Sequence, residues 1–263
     1  MLAILSLLIV FAYFLATLKH ILFLIYRRNH LLTIALWAGV LGLLLHTLNL
    51  IVYTRKMGHL PFANFSESLA FFSWVMVLTY LFVEFRYKIP SLGTFVMPLA
   101  LLSITYSQLI PGEGTPLSPL VQNVWFLVHI AFAFLGIAAF ALTFGLGIMY
   151  MIQEGQLKSR RPGGFYYRLP SLEILDSLGY KTLAWGFPLL TMGLLAGSIW
   201  AHSAKGSFWG WDPLKSWPLL IGWIIYGILF IGRIRGWWRG RKAARWSVLG
   251  FVAVALSYLI HTY

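Results

Sequence analysis

The feature that most constrains this chain is a series of long apolar runs separated by short polar segments. Hydrophobic residues make up 60% of the 263 residues, and charged residues only 10%. A soluble fold of this size cannot bury so much apolar surface, so the runs predict membrane-crossing helices of about 20 residues each. We expect an all-α fold, a polytopic transmembrane helical bundle with about eight spans. The predicted helices cover about 2–26, 31–53, 68–85, 91–110, 122–152, 182–201, 217–232 and 246–262.

The basic residues predict how these helices are oriented. The net charge is +13, which in a soluble protein would favour a nucleic-acid partner. Here fifteen of the 20 Lys and Arg residues follow predicted helices 1, 3, 5 and 7, and only four lie on the opposite side. Because basic loops remain in the cytoplasm, we expect both termini on the outer side and no nucleic-acid partner. The basic run at 233–246 is expected to contact anionic lipids.

The chain is predicted to form one integral membrane domain, 1–263, whose helices are joined by loops. An outer loop is expected at about 54–67, a cytoplasmic loop at about 153–181 and an aromatic outer loop at about 200–217. In the cytoplasmic segment Glu154, Glu173 and Asp176 lie among basic residues, and we favour an amphipathic helix on the membrane surface over a docking site for a soluble partner.

The aromatic loop, GSFWGWDPLKSW (206–217), concentrates Trp residues around one carboxylate. His129, near the outer start of helix 5, and His261, at the outer end of helix 8, are predicted at the same level as this loop. Two imidazoles and a wall of aromatic rings suit a flat, apolar, iron-bearing macrocycle, because haem iron takes axial imidazole ligands. The basic residues on that side would serve the haem propionates. They are Arg55, Lys56, Lys205 and Lys215.

Two simpler interpretations stay open at this point. A histidine inside a membrane helix often makes only a hydrogen bond to a neighbouring helix. The aromatic residues could form an interfacial belt, as in a transporter or a purely structural membrane protein. The sequence has no cysteine, so a thiolate metal site is excluded for this chain alone.

Three stretches carry a resemblance to a known family. WAHSAKGSFWGWDP (200–213) resembles the WWD signature of haem-handling membrane proteins, and the match is closest to the cytochrome c synthetase subunit CcsA, also called ResC. GHLPFANFSESLAFFSW (58–74) resembles that family's segment ahead of its third helix. LDSLGYKTLAWGFPLLTMGLLAGSIWA (175–201) resembles the helix that leads into the WWD loop.

The resemblance implies a set of site residues and partners. His129 and His261 match the two outer histidines that ligate haem b in the family. The remaining cofactor-binding residues that it implies are Trp200, Phe208, Trp209, Trp211, Asp212 and Trp217. The family presents haem at the outer face to the Cys-x-x-Cys-His of apocytochrome c, together with a membrane subunit called CcsB or ResB. It implies a multi-pass protein of the bacterial inner membrane with the haem site facing the periplasm or cell exterior. Whether this chain is itself a catalytic part of a synthetase (haem lyase) stays open.

The chain departs from the family pattern in two places. In the loop, Lys205 replaces a Trp and Phe208 a Tyr. At the inner end of helix 7 the family tends to carry a haem-ligating histidine, where this chain has Ile231. His20 lies at an inner depth and could substitute, although a hydrogen-bonding role is favoured for it. These departures are compatible with a second branch, called HemX, whose members are linked to tetrapyrrole synthesis rather than haem attachment. A HemX-like haem-binding regulator or chaperone is therefore the alternative function.

Overall fold

The computed structural model describes residues 1–110, 123–159, 163, 166–208 and 213–260. The described residues form eight α-helices and no strand, which confirms the predicted polytopic helical bundle. Six of these helices are long and apolar enough to cross a membrane. In the seventh helix the apolar part is shorter and runs over Leu219–Ile234.

The chain divides into two compact units, 1–117 and 118–263. Unit 1 contains helices α1 to α4. They are α1 (Leu2–Tyr26), α2 (Asn29–Met57), α3 (Phe65–Tyr87) and α4 (Gly93–Leu109). Helix α1 packs against α2 and α4, and α3 packs against α4. Apolar side chains at helical spacing fill these interfaces, with Ile9, Tyr13 and Val96 fully buried.

Unit 2 contains helices α5 to α8. They are α5 (Val124–Lys158), α6 (Leu172–Lys205), α7 (Pro213–Ile234) and α8 (Gly240–Ile260). Helix α5 packs along α6 and also against α8, which in turn packs against α7. At 35 and 34 residues, α5 and α6 are each about 50 Å long at 1.5 Å per residue, against a hydrocarbon core of about 30 Å.

The segment that was predicted to be a cytoplasmic loop differs from its predicted form. Helix α5 continues to Lys158 and α6 already begins at Leu172, so the loop predicted at about 153–181 is shorter in the structure. The side chain of Ser171 caps α6 by accepting from the backbone N–H of Ile174 at 3.4 Å. Residues 172–181 are therefore the first turns of a spanning helix and do not form a separate surface helix.

Glu67 makes the hydrogen bonds that order the polar segment between α2 and α3. Asn64 caps α3 by accepting from the backbone N–H of Glu67 at 2.9 Å. The Glu67 carboxylate in return accepts from the backbone N–H of Ala63 at 2.9 Å and from the hydroxyl of Tyr53 at 2.7 Å. This arrangement is a variant of the capping box, in which Glu67 accepts from the N–H one residue before the cap and also from α2, and it fixes where the chain enters α3.

Small residues bring α5 and α6 unusually close. A Cβ added at Gly136 of α5 would lie 2.7 Å from the backbone nitrogen of Leu190. A Cβ added at Gly193 of α6 would lie 2.7 Å from the backbone nitrogen of Ala133. Glycines of this kind let transmembrane helices pack backbone to backbone.

A partly buried ion pair joins three segments at the opposite end of unit 2. The Arg233 guanidinium on α7 donates to Asp176 Oδ1 on α6 at 2.6 Å. The backbone N–H of Gly240, where α8 begins, donates to the same oxygen at 2.8 Å. The Arg233 side chain is only 8% exposed, so this pair is an internal tie and not a surface salt bridge.

Candidate functional site

His129 lies on the second turn of α5, close to the end of α6. Asn123 caps α5 by accepting from the backbone N–H of Trp125 at 2.8 Å. The Asn123 amide also donates to the hydroxyl of Ser203, near the end of α6, at 3.2 Å. These two contacts hold the start of α5 beside the end of α6 and so set the position of His129.

A single hydrogen bond determines which nitrogen of the His129 ring carries the proton. Its Nδ1 lies 2.7 Å from the carbonyl oxygen of Gly193 on α6. A carbonyl only accepts, so Nδ1 carries the proton and donates. In the neutral imidazole the Nε2 lone pair is then left for a metal. Histidine ligands of metals commonly donate their other N–H to such an oxygen.

The glycine at position 197 gives the ring its place against α6. A Cβ added there would lie 2.6 Å from His129 Nδ1 and 2.9 Å from Cε1. Gly193 and Gly197 are one turn apart, so both face α5. The imidazole therefore occupies the space that the missing side chain of Gly197 leaves on α6.

Aromatic rings lie one turn farther toward the ends of both helices. The rings of Phe126 on α5 and Trp200 on α6 have centroids 4.8 Å apart and are tilted by 43°. Phe126 precedes His129 by three residues and Trp200 follows Gly197 by three, so the ring pair stands above the imidazole on the same interface. Of the predicted aromatic residues, Trp200 is thus placed near His129.

Two other predicted aromatic residues are exposed. Phe208 is 53% exposed and stacks on the His202 ring, with centroids 4.1 Å apart and an interplanar angle of 3°. Trp217, on α7, is 58% exposed. Both offer apolar surface beside the α6–α7 connection.

Four predicted site residues lie outside the described residues. They are Trp209, Trp211, Asp212 and His261. The convergence of two imidazoles on one haem therefore stays a prediction. Of the two predicted axial ligands, His129 lies among the described residues, and its half-buried imidazole of fixed tautomer next to aromatic rings is compatible with a haem ligand.

The structure gives His20 a packing role within unit 1. Its side chain is 0% exposed, and its Nε2 is 3.1 Å from the hydroxyl of Tyr80. A Cβ added at Gly93 would lie 2.5 Å from the ring. The ring is enclosed on these sides and has no free face for a porphyrin. Ile231, in the position of the family's inner histidine, is 53% exposed on α7.

Sequence reasoning missed the residues that hold His129. Gly193 and Gly197 lie in the stretch 175–201, which contributed to the sequence analysis only through its family resemblance, and Phe126 gave no signal of its own. Gly193 and Gly197 are four residues apart on a helix next to the aromatic loop, and this spacing indicates a close helix contact. It does not identify the partner helix.

Comparison with known proteins identifies the class. The family model described as "Cytochrome C assembly protein" matches residues 62–263. The chain belongs to this family of membrane proteins, and its role is in cytochrome c biogenesis.

Within the family, the chain is similar to proteins named "Cytochrome c biogenesis protein CcsA". The relative from Guillardia theta is 31% identical over 234 residues, covering 81% of this chain and 77% of the relative. The relative from Synechococcus sp. (strain CC9902) is 31% identical over 266 residues, covering 87% of each chain. The relative from Pyropia yezoensis is 31% identical over 241 residues, covering 77% of this chain and 75% of the relative. The resemblance to CcsA inferred from the motifs is confirmed.

Proposed function

We propose that this chain binds haem b at the outer end of unit 2 and presents it for attachment to apocytochrome c. His129 is one axial ligand, and His261 is the other. The observation that carries the proposal is the bond from His129 Nδ1 to the Gly193 carbonyl, which leaves Nε2 free beside an aromatic pair.

The surrounding residues would each do a separate task. Phe126 and Trp200 would exclude water from one side of the imidazole, which strengthens ligation in an apolar setting. The exposed rings of Phe208 and Trp217 would lie along the macrocycle, with Trp209, Trp211 and Asp212 completing the loop. Haem, when bound, supplies the groups to which the apocytochrome cysteines become joined.

The membrane setting and partners form part of the same proposal. The chain would lie in the bacterial inner membrane with the haem face toward the periplasm or cell exterior, together with a CcsB/ResB-like subunit. The turn between α7 and α8 would contact anionic lipids. There Arg235 lies 4.9 Å above the ring of Trp237, and Lys242 lies 4.3 Å above the ring of Trp238. Cations beside indole rings suit the headgroup region.

A spectrum of the purified full chain tests haem binding. We expect haem b with a bis-imidazole, low-spin spectrum, and loss of that spectrum in His129→Ala and in His261→Ala. His59→Ala is the matched control, because this histidine lies in the loop of unit 1, where its Nδ1 contacts the backbone of Leu60 at 2.9 Å and the Glu67 carboxylate at 3.7 Å. An unchanged spectrum in His129→Ala would contradict the proposed ligand.

A maturation assay separates presentation of haem from regulation. The alternative, a HemX-like haem-binding regulator or chaperone, is favoured by one feature, the exposed Ile231 where the family tends to have a histidine. The chain would be expressed with and without a CcsB-like subunit in cells that lack cytochrome c maturation. Covalent haem on a reporter cytochrome supports presentation. Its absence in both settings, with haem still bound to the chain, supports the alternative.

A further inference from the structure

We propose that Gly193 and Gly197 are positioning residues of the haem site. The Gly193 carbonyl sets the tautomer and the electron donation of the His129 imidazole, and Gly197 provides the gap in which the ring lies. This inference rests on the proposed function, in which His129 binds haem iron. In this inference, residues of α6 determine the tautomer and position of the His129 ligand, which belongs to α5.

The hydrogen bond between His129 and Gly193 has a defined direction. The Nδ1–H of His129 donates to the Gly193 carbonyl at 2.7 Å, and this oxygen belongs to the backbone in the interior of a helix. A bond of this kind makes Nε2 a stronger electron donor and fixes the plane of the ring. A stronger donor favours the ferric state of the iron, so the bond lowers the reduction potential.

The α5–α6 interface leaves no room for a side chain at Gly197. Gly197 lies inside α6 without positive φ, so alanine is compatible with its backbone and would even raise helix propensity. The new methyl, however, would lie 2.6 Å from His129 Nδ1. The ring must move away from it, and the bond to the Gly193 oxygen is then lost. Gly197→Ala thus changes the position of the ligand while leaving the histidine in the chain.

A matched control lies on the same pair of helices. A Cβ added at Gly186 of α6 would lie 2.9 Å from Ala139 Cβ and 3.0 Å from the Phe140 ring on α5. Gly186→Ala therefore crowds the α5–α6 interface to a similar degree, about three turns away from the imidazole. Any effect that comes only from helix packing should appear equally in both variants.

The experiment compares the wild type, Gly197→Ala, Gly186→Ala and His129→Ala as purified full chains. Haem content, the low-spin absorption spectrum and the reduction midpoint potential are measured in each. We expect at least a twofold lower haem content in Gly197→Ala and a higher midpoint potential in the haem that remains. Added imidazole should restore the low-spin spectrum, as it should in His129→Ala. Gly186→Ala should keep the haem content and potential of the wild type, even if its melting temperature falls.

The outcomes separate this inference from the proposed function. If His129→Ala loses the spectrum while Gly197→Ala and Gly186→Ala remain equal in haem content and potential, the positioning role is overturned and the ligand stands. If His129→Ala retains the wild-type spectrum, the proposed function itself fails. Nitrogen NMR of ¹⁵N-histidine-labelled wild-type protein gives a test without a variant. Protonation of His129 at Nδ1 supports the inference, and protonation at Nε2 overturns it.

Discussion

The imidazole of His20 on α1 and the phenol of Tyr80 on α3 are hydrogen bonded at 3.1 Å between Nε2 and the hydroxyl oxygen. Both side chains are 0% exposed. The two rings meet edge to face with an interplanar angle of 84°. This pair links two helices of unit 1 through a polar contact that water does not reach.

The first prediction is that this link serves stability. Tyr80→Phe leaves the buried His20 Nε2 without its partner, which should lower the free energy of unfolding by about 1–3 kcal/mol. Thermal unfolding in detergent measures the loss. Tyr26→Phe, at a 62% exposed position on α1, should have little effect. A loss of haem from Tyr80→Phe at an unchanged melting temperature would instead place the pair in a cofactor site.

The second prediction concerns the capping box at the start of α3. Glu67→Gln replaces an acceptor-only carboxylate that receives bonds from Ala63, Asn64 and Tyr53. We expect a loss of about 1–2 kcal/mol and faster amide hydrogen exchange over residues 63–68. Glu173→Gln, at an exposed position in the first turn of α6, should cost less. Equal exchange in the two variants would refute the capping role.

The third prediction concerns the ion pair of unit 2. Asp176→Asn leaves the Arg233 guanidinium, 8% exposed, without its counter-charge, and should lower stability by about 1.5–3 kcal/mol, because the pair is only partly buried. In the double variant Asp176→Asn, Arg233→Leu we expect the combined loss to be smaller than the sum of the single losses. The control is the pair of Glu154 and Lys158, in which the Lys158 side chain is 62% exposed, and Lys158→Ala should change stability by about 0–1 kcal/mol. Additive losses at the Asp176–Arg233 pair would show that the two charges do not stabilise each other.

The fourth prediction concerns the aromatic pair beside the imidazole. Trp200→Ala removes the ring that packs on Phe126 at 4.8 Å. Water then reaches His129, and we expect haem content to fall several-fold in the purified protein. Trp185→Ala, on the same helix at a 72% exposed position, is the matched control. Similar haem contents in the two variants would assign Trp200 to the interfacial belt.

Hydropathy and charge were sufficient to predict the helices but not all of their bounds. Each predicted span has its helix, because about 20 apolar residues need backbone hydrogen bonds that only a helix supplies within lipid. The start of α6 at Leu172 was missed by ten residues. The first turns of that helix carry Glu173, Asp176 and Lys181, whose polarity resembles that of a surface segment. Tertiary contacts, such as the Arg233–Asp176 pair, keep these turns helical.

The side chains of the candidate site were predicted from the sequence. The backbone groups that position those side chains were not predicted. His129 and Trp200 were predicted from their level beside the aromatic outer loop and from the family resemblance. A backbone carbonyl such as that of Gly193 leaves no mark in the sequence, since every residue has one. Its role appears only when the packing of α5 on α6 brings it within 2.7 Å of a ring nitrogen.

The length of α5 has a practical consequence. His129 is the sixth residue of the helix and Lys158 the last, so about 44 Å of helix separates them at 1.5 Å per residue. If the imidazole lies at one surface of the bilayer, the final two or three turns extend into the water on the other side. A fluorescent label or protease site introduced after Ser159 would therefore report membrane sidedness, at a distance from every contact that holds the histidine.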